Sequence, residues 1–348
     1  MGSGRLALDS GCGARLRSPF AESISQTTFR TLSWQLRYAL GATWMRNRSQ
    51  KLCQKVAGRP ARRMVALHCS MPIATNRHLG QAGEDYPESF YVRRAADHFV
   101  STLHSQGAWQ PGEQHLAPAS GLLLAEVERR LPSSKLVSRA SFDVLGVIHS
   151  GEFTVDVRMV RPGRSIELIE ATMRHGSLTS ICARIWRLAF HDTNRVQGIE
   201  WAQLPPPEAM APLAFSSVWG GGYVHSLEAR QDGSARAGRG LSWLRTRCTL
   251  VAGEDDPPVA GFLKLVDTAN GLVIRERPGS VFFANVDLTV HLFRQPHAGW
   301  VGFDTRVSFG PTGLGQTLSV LSDLQGPVGT AAQSLTVRTG EHLPDRPR

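Results

Sequence analysis

One pattern dominates the chain: an amphipathic helical run followed by a series of extended runs occurs twice, about 150 residues apart. In the first copy Leu122, Leu123, Ala125, Val127 and Leu131 gather largely on one side, with Glu126, Glu128, Arg129 and Arg130 filling the rest. That is the period of a half-buried helix. Pro118 suits its first turn and Pro132 stops it, which predicts a helix over Pro118–Leu131. Phe153, Val155, Val157 and Met159 then alternate with Thr154, Asp156 and Arg158, as a strand with one buried face does. Turns at Arg161–Arg164 and His175-Gly176 delimit further strands over Ser165–Arg174 and Leu178–Phe190.

Residues 192–214 interrupt this order with Leu204-Pro205-Pro206-Pro207, the mark of a crossing loop. The grammar then restarts. A strand is expected over Leu241–Val251 and a helix over Pro257–Ala269, with Val259, Phe262, Leu263 and Val266 in a stripe and Asn270-Gly271 as its cap. Strand-like runs follow at 280–293, 299–309, 314–323 and 327–338. Arg161-Pro162-Gly163 matches Gly310-Pro311-Thr312-Gly313, His175-Gly176 matches Gln325-Gly326, and Ala183 matches Ala332. Self-similarity at this length means a duplicated domain, not a solenoid. The expected class is α+β: two tandem units over 88–195 and 215–340, joined by 196–214, each an antiparallel sheet wrapped around a long central helix. A lone unit would leave a sheet edge bare, and duplication supplies its partner.

Hydrophobic residues make up 41% of the chain, enough for a core. No run approaches the roughly 20 apolar residues that span a bilayer, so no membrane insertion is expected. The net charge of +10 would ordinarily suggest nucleic acid. It is concentrated, however, in residues 1–80, where thirteen Lys and Arg face only Asp9 and Glu22, and the remainder is close to neutral. No nucleic-acid partner is therefore expected. The first 80 residues also lack periodicity and read as a disordered extension, or as a start upstream of a true one at Met64 or Met71. Their Arg- and Ser-rich, acid-poor composition fits a transit segment as well, and a basic tail for anionic surfaces is a third reading. Five cysteines without disulfide or metal spacing point to a reducing compartment, here taken as the cytoplasm. There is no Gly-x-Ser-x-Gly elbow, and Gly220-Gly221-Gly222 lacks the context of a dinucleotide site.

The order of short strings narrows this further. The first half carries Trp109-Gln110-Pro111-Gly112, Gln114-His115 leading into a helix, Phe142-Asp143 and Val160-Arg161-Pro162-Gly163-Arg164. The second carries Asn285-Val286-Asp287-Leu288-Thr289-Val290-His291-Leu292, Trp300, Gly313-Leu314-Gly315, then Asp323, Gly326, Val328-Gly329 and Gln333. Residues 88–338 thereby resemble the type II (TesB-like) acyl-CoA thioesterases. The resemblance implies a double hot-dog fold and hydrolysis of fatty acyl-CoA to free acid and coenzyme A, with no cofactor and no metal. It also leaves room for a homo-oligomer through the hot-dog sheets. In that family an Asp early in one strand, a Ser or Thr on the next and a Gln near the end of the last hold a water. The matching positions are Asp287, Ser308 and Gln333, with Thr305 or Thr312 as alternatives to Ser308. Leu288 stands where better-known members have His, with His291 further on, and Leu116-Ala117 stands where they have Gly-Gly. Those departures make a non-catalytic acyl-CoA or lipid-binding protein on the same fold the alternative.

The residue types suit the chemistry. A thioester is already activated, so a carboxylate acting as general base on a water, steadied by a hydroxyl and a carboxamide, is sufficient. The developing oxyanion could be met by free N–H groups at helix starts near Ala117–Ser120 or Pro257–Ala260. Lys264, Arg275 and Arg277 either meet coenzyme A phosphates or form a solvated face, the latter being the plainer reading.

Overall fold

The structure is a computed structural model that describes residues 88–340; the basic extension over 1–80 lies outside the described residues. The first repeat opens with β1 (Ser89–Arg93) and β2 (His98–Ser101), followed by α1 (Leu116–Arg130). It closes with the meander β3 (Leu136–Val144), β4 (Glu152–Arg161), β5 (Ile166–His175) and β6 (Leu178–Leu188). A crossing segment carries the short β7 (Ala211–Pro212) and the single-turn helix α2 (Gly222–His225) into the second repeat. There β8 (Leu227–Gln231), β9 (Arg239–Thr246) and β10 (Thr249–Val251) precede α3 (Pro258–Leu263) and α4 (Ala269–Leu272). The short β11 (Val281–Phe282) leads to β12 (Asp287–Leu292), β13 (Val301–Phe309), β14 (Leu314–Asp323) and β15 (Gly326–Thr336), and β16 (Arg338–Thr339) pairs back with β11.

Fourteen of these strands form one sheet, ordered β10-β1-β2-β4-β5-β6-β3-β12-β15-β14-β13-β9-β8-β7. The order is palindromic about the β3–β12 junction. Outward on one side run β3, β6, β5, β4, β2 and β1, and on the other β12, β15, β14, β13, β9 and β8. The junction is an antiparallel ladder from Asp287 opposite Asp143 to His291 opposite Arg139, so each repeat covers the other's edge. Strands β5 and β14 each have ten residues and β6 and β15 each have eleven, displaced by 148. The repeat therefore sets Ala183 against Ala331, one residue from the expected match with Ala332. This is the double hot-dog arrangement.

Helix α1 begins two residues before the expected Pro118 and is buried along most of its length, from Leu116 through Val127. Glu126 is not on a solvated side as expected: it is buried and held by Arg93, Arg129 and Arg130, each at 2.8 Å. Gly121 lets α1 approach α3, since a Cβ there would lie 2.9 Å from the Ala260 carbonyl oxygen.

The expected helix over Pro257–Ala269 is broken. After α3 the chain makes a 3-10 turn at Val266–Thr268 before α4, which contains Asn270-Gly271 instead of ending at them. Lys264, at the break, turns its Nζ inward to the Cys248 carbonyl (2.6 Å) and Asp256 (2.5 Å), so it is not a surface cation for phosphates. The expected strand over Leu241–Val251 is likewise divided, and β10 leaves its own repeat to pair in parallel with β1. Within the crossing segment Leu204 and Met210 pack on Trp243 and Trp300, and Trp243 Nε1 donates to the Pro205 carbonyl at 2.8 Å. No helix among the described residues is long and apolar enough to cross a membrane.

Candidate active site

Strand β15 turns Val328, Ala331, Gln333 and Leu335 toward the core, and Gln333 is the one polar member of that buried set. Its Nε2 donates to the main-chain oxygen of Asp267 at 3.0 Å and to Oδ1 of the same residue at 2.7 Å. The 3-10 break makes this grip available, because it takes the Asp267 carbonyl out of a regular helical ladder. Asn285, just before β12, donates from Nδ2 to Asp267 Oδ1 (2.7 Å) and to the Asp287 carbonyl (3.0 Å). Its own Oδ1 accepts from Asn270 at 3.3 Å. Two donors thus fix one carboxylate oxygen, while Oδ2 has no donor among the described residues.

Burial raises the Asp267 carboxyl from the usual carboxylate range to about 7, opposed by the hydrogen bonds from Gln333 and Asn285 and reinforced by the negative Asp287. A carboxyl poised there suits general-base work near neutral pH.

Asp267 Oδ2 lies 3.6 Å from Nδ1 of His115. His115 is the N-cap of α1 and accepts the Ala117 N–H on Nδ1 at 3.0 Å. Its ring stacks on Tyr223 with centroids 4.3 Å apart, and the Tyr223 hydroxyl is held by Thr268 Oγ1 at 2.6 Å and the Lys264 carbonyl at 3.2 Å. Burial pulls the imidazole down to about 3, so it is neutral at physiological pH.

Asp267, Asn270, Asn285 and His115 line a cavity of about 1050 Å³ together with apolar groups such as Trp109, Val144, Ile148, Trp219 and Phe282 and with the polar Gln110, Glu113 and Gln114. Trp109 meets Trp219, Phe282 and Phe283 at 5.2, 4.7 and 5.5 Å between ring centroids. A cavity of this size that combines aromatic and aliphatic side chains with placed polar groups is a usual form of small-molecule site.

The three side chains singled out in the sequence do not converge. Gln333 is part of the network. Asp287 stands beside it, half-buried, with Oδ1 accepting the Ser334 N–H at 2.6 Å and its carbonyl steadying Asn285. Ser308 is exposed, and strand parity explains why. Gln333 is opposite Thr317, which is opposite Val307, whereas Ser308 is opposite Gln316 and shares the other face with Ser334. It borders a separate depression of about 360 Å³ with Arg236, Arg239, Arg275 and Arg306. Of the alternatives, Thr305 is occupied by Ser319 Oγ at 2.8 Å, and Thr312 lies exposed in the turn between β13 and β14. The hydroxyl that β14 brings beside Gln333 is Thr317. Both are buried, and neither Thr317 Oγ1 nor Gln333 Oε1 has a hydrogen-bond partner among the described residues.

Sequence reasoning missed Asp267, Asn285 and Thr317 as site residues. The available signal was an acid directly after the apolar stripe that ends at Val266. His115 stood in a quoted motif without a role.

Comparison with known proteins follows the two repeats. The acyl-CoA thioesterase N-terminal domain matches residues 105–188 and the acyl-CoA thioesterase C-terminal domain matches residues 206–337, together more than half of the chain. A conserved hot-dog protein of unknown function from Alicyclobacillus acidocaldarius superposes with a TM-score of 0.57 at 14% identity, covering 72% of this chain and 96% of that one. For an acyl-CoA thioesterase II from Mycobacterium marinum the TM-score is 0.52 at 13% identity, covering 73% and 97%. At such identities the likeness is one of fold. No curated protein matches the chain. With each repeat accounted for in turn, the chain belongs to the acyl-CoA thioesterase family and is a thioester hydrolase on a double hot-dog fold.

Proposed function

We propose that the protein hydrolyses fatty acyl-CoA to free acid and coenzyme A, with Asp267 as general base. The observation that carries this is a buried carboxylate in the wall of a roomy cavity, with one oxygen fixed by Gln333 and Asn285 and the other 3.6 Å from His115. In this reading the acyl chain lies among Trp109, Ile148 and Phe282, and the coenzyme A moiety reaches out of the cavity mouth. Asp267 takes a proton from water as the water oxygen bonds to the thioester carbon. The carbonyl pair moves to oxygen and returns as the C–S bond breaks. The departing thiolate then recovers the proton from Asp267.

Thr317 and Gln333 supply a buried hydroxyl and a carboxamide oxygen side by side behind the base, and Asp287 positions Asn285 and tunes Asp267 by its charge. Cys182 and Cys248 are free thiols, which suits a reducing compartment, the cytoplasm in this reading.

Thiol release from acetyl-, hexanoyl-, decanoyl- and palmitoyl-CoA tests the assignment. Asp267→Asn should lose about 10²–10⁴-fold in kcat, the usual worth of general-base assistance. Asp287→Asn should lose less, because it removes only a neighbour. The reverse order would return the base to Asp287. Saturable acyl-CoA binding without turnover by the natural chain would favour the non-catalytic alternative.

A further inference from the structure

The N-terminus of α1 offers a ligand fewer main-chain donors than a helix start normally does. The Ala117 N–H is already given to His115 Nδ1, and residue 118 is a proline, which has none. That leaves the Leu116 N–H as the first-turn donor at the cavity wall, so a thioester oxygen gathering negative charge there gains from a second donor beside it.

His115 meets the requirement on geometry. Because Nδ1 accepts a main-chain hydrogen, the proton of the neutral ring sits on Nε2. No described residue bonds Nε2, and the side chain, 18% exposed, borders the same cavity as Asp267. The stack on Tyr223, with planes 30° apart, holds the ring in place. The positive end of α1 disfavours an imidazolium there, in the same direction as the burial that lowers its pKa. The result is an imidazole that stays neutral, keeps its proton and presents a single N–H beside the base.

We propose that His115 Nε2–H is the oxyanion donor of this thioesterase, hydrogen-bonding the thioester carbonyl oxygen while Asp267 activates water. The inference rests on the acyl-CoA reading above. His115 exchanges no proton in the cycle: the carbonyl pair shifts onto oxygen under its N–H and returns when the C–S bond breaks.

His115→Asn and His115→Gln in the full chain separate this role from capping. Asn is a strong N-cap but its amide is too short to occupy the Nε2 position, whereas Gln caps poorly and carries an N–H near that reach. A donor role predicts that His115→Asn loses about 10²–10³-fold in kcat on decanoyl-CoA with KM little changed, the usual loss for one oxyanion donor. His115→Gln should then recover to within about tenfold of the natural enzyme. Undiminished kcat in His115→Asn, or Gln falling below Asn, overturns the proposal.

A second readout is the infrared stretch of an isotope-labelled carbonyl in decanoyl-CoA bound to Asp267→Asn. It should lie below its frequency in water, and the shift should vanish when His115→Asn is added. A shift that survives also overturns the proposal. Failure of the base assignment is distinct: Asp267→Asn would stay active, while the Asn–Gln comparison at position 115 would still read out the donor.

Discussion

At the scale of single residues, a carboxyl group whose pKa rises to about 7 on folding binds its proton more tightly in the native chain than in the unfolded one. Its contribution to stability is fully present below about pH 4, the unfolded value, and is lost as pH rises through about 7. Asp267→Asn keeps an oxygen for Gln333 and Asn285 and removes the charge. It should therefore stabilise the protein by about 2–4 kcal/mol at pH 8 and by nearly nothing at pH 4, as read in urea melts at the two pH values. The catalytic counterpart has the opposite sense. The base works only when deprotonated, so kcat/KM should be half-maximal near pH 7 and fall about tenfold per unit below it. Gln333 was legible from the sequence because a carboxamide among Val328, Ala331 and Leu335 contradicts a plain apolar strand. Asp267 and Thr317 were not. The first looks like the polar flank of a helix until that helix breaks, and the second acquires meaning only from the register that puts it opposite Gln333.

Elements were legible where local pattern decides them. Helix α1 and strands β5, β6, β13, β14 and β15 fall within a few residues of expectation, because helical stripes, period-2 alternation and turn residues bound them. The broken helix was hidden for a physical reason. Its stripe is continuous, and what ends α3 comes from far along the chain: the Cys248 carbonyl that captures Lys264 and the Gln333 and Asn285 amides that capture Asp267. The packing of α1 on α3 gives a test with a decisive sign. Gly to Ala within a helix ordinarily stabilises by about 1 kcal/mol. At Gly121 the new Cβ would meet main chain at 2.9 Å, and overpacking of this kind costs about 1–3 kcal/mol. Gly121→Ala should therefore lower stability by about 1–2 kcal/mol in chemical denaturation; a gain would show that the two helices can separate freely.

For the whole molecule, duplication has not produced two sites. The displacement of 148 that superposes β5 on β14 and β6 on β15 sets Ile169 at the position of Thr317 and Ile185 at that of Gln333, both isoleucines fully buried. One repeat fills with hydrocarbon the place where the other keeps a hydroxyl and an amide. Calorimetric titration of Asp267→Asn with decanoyl-CoA should accordingly saturate at one ligand per chain. The repeat itself was readable in advance from its turns, to within one residue; the exchange of β10 was not, since nothing local in three residues says which strand they join. That exchange bears on what the sheet leaves open at its rims. Among the described residues the sheet ends in β10, three residues long, on one rim and in β7, two residues including Pro212, on the other. Stubs of that size, one of them short of an N–H, give a foreign strand almost no ladder to copy. Fourteen strands are thus laid side by side with very little rim left for a foreign strand to extend.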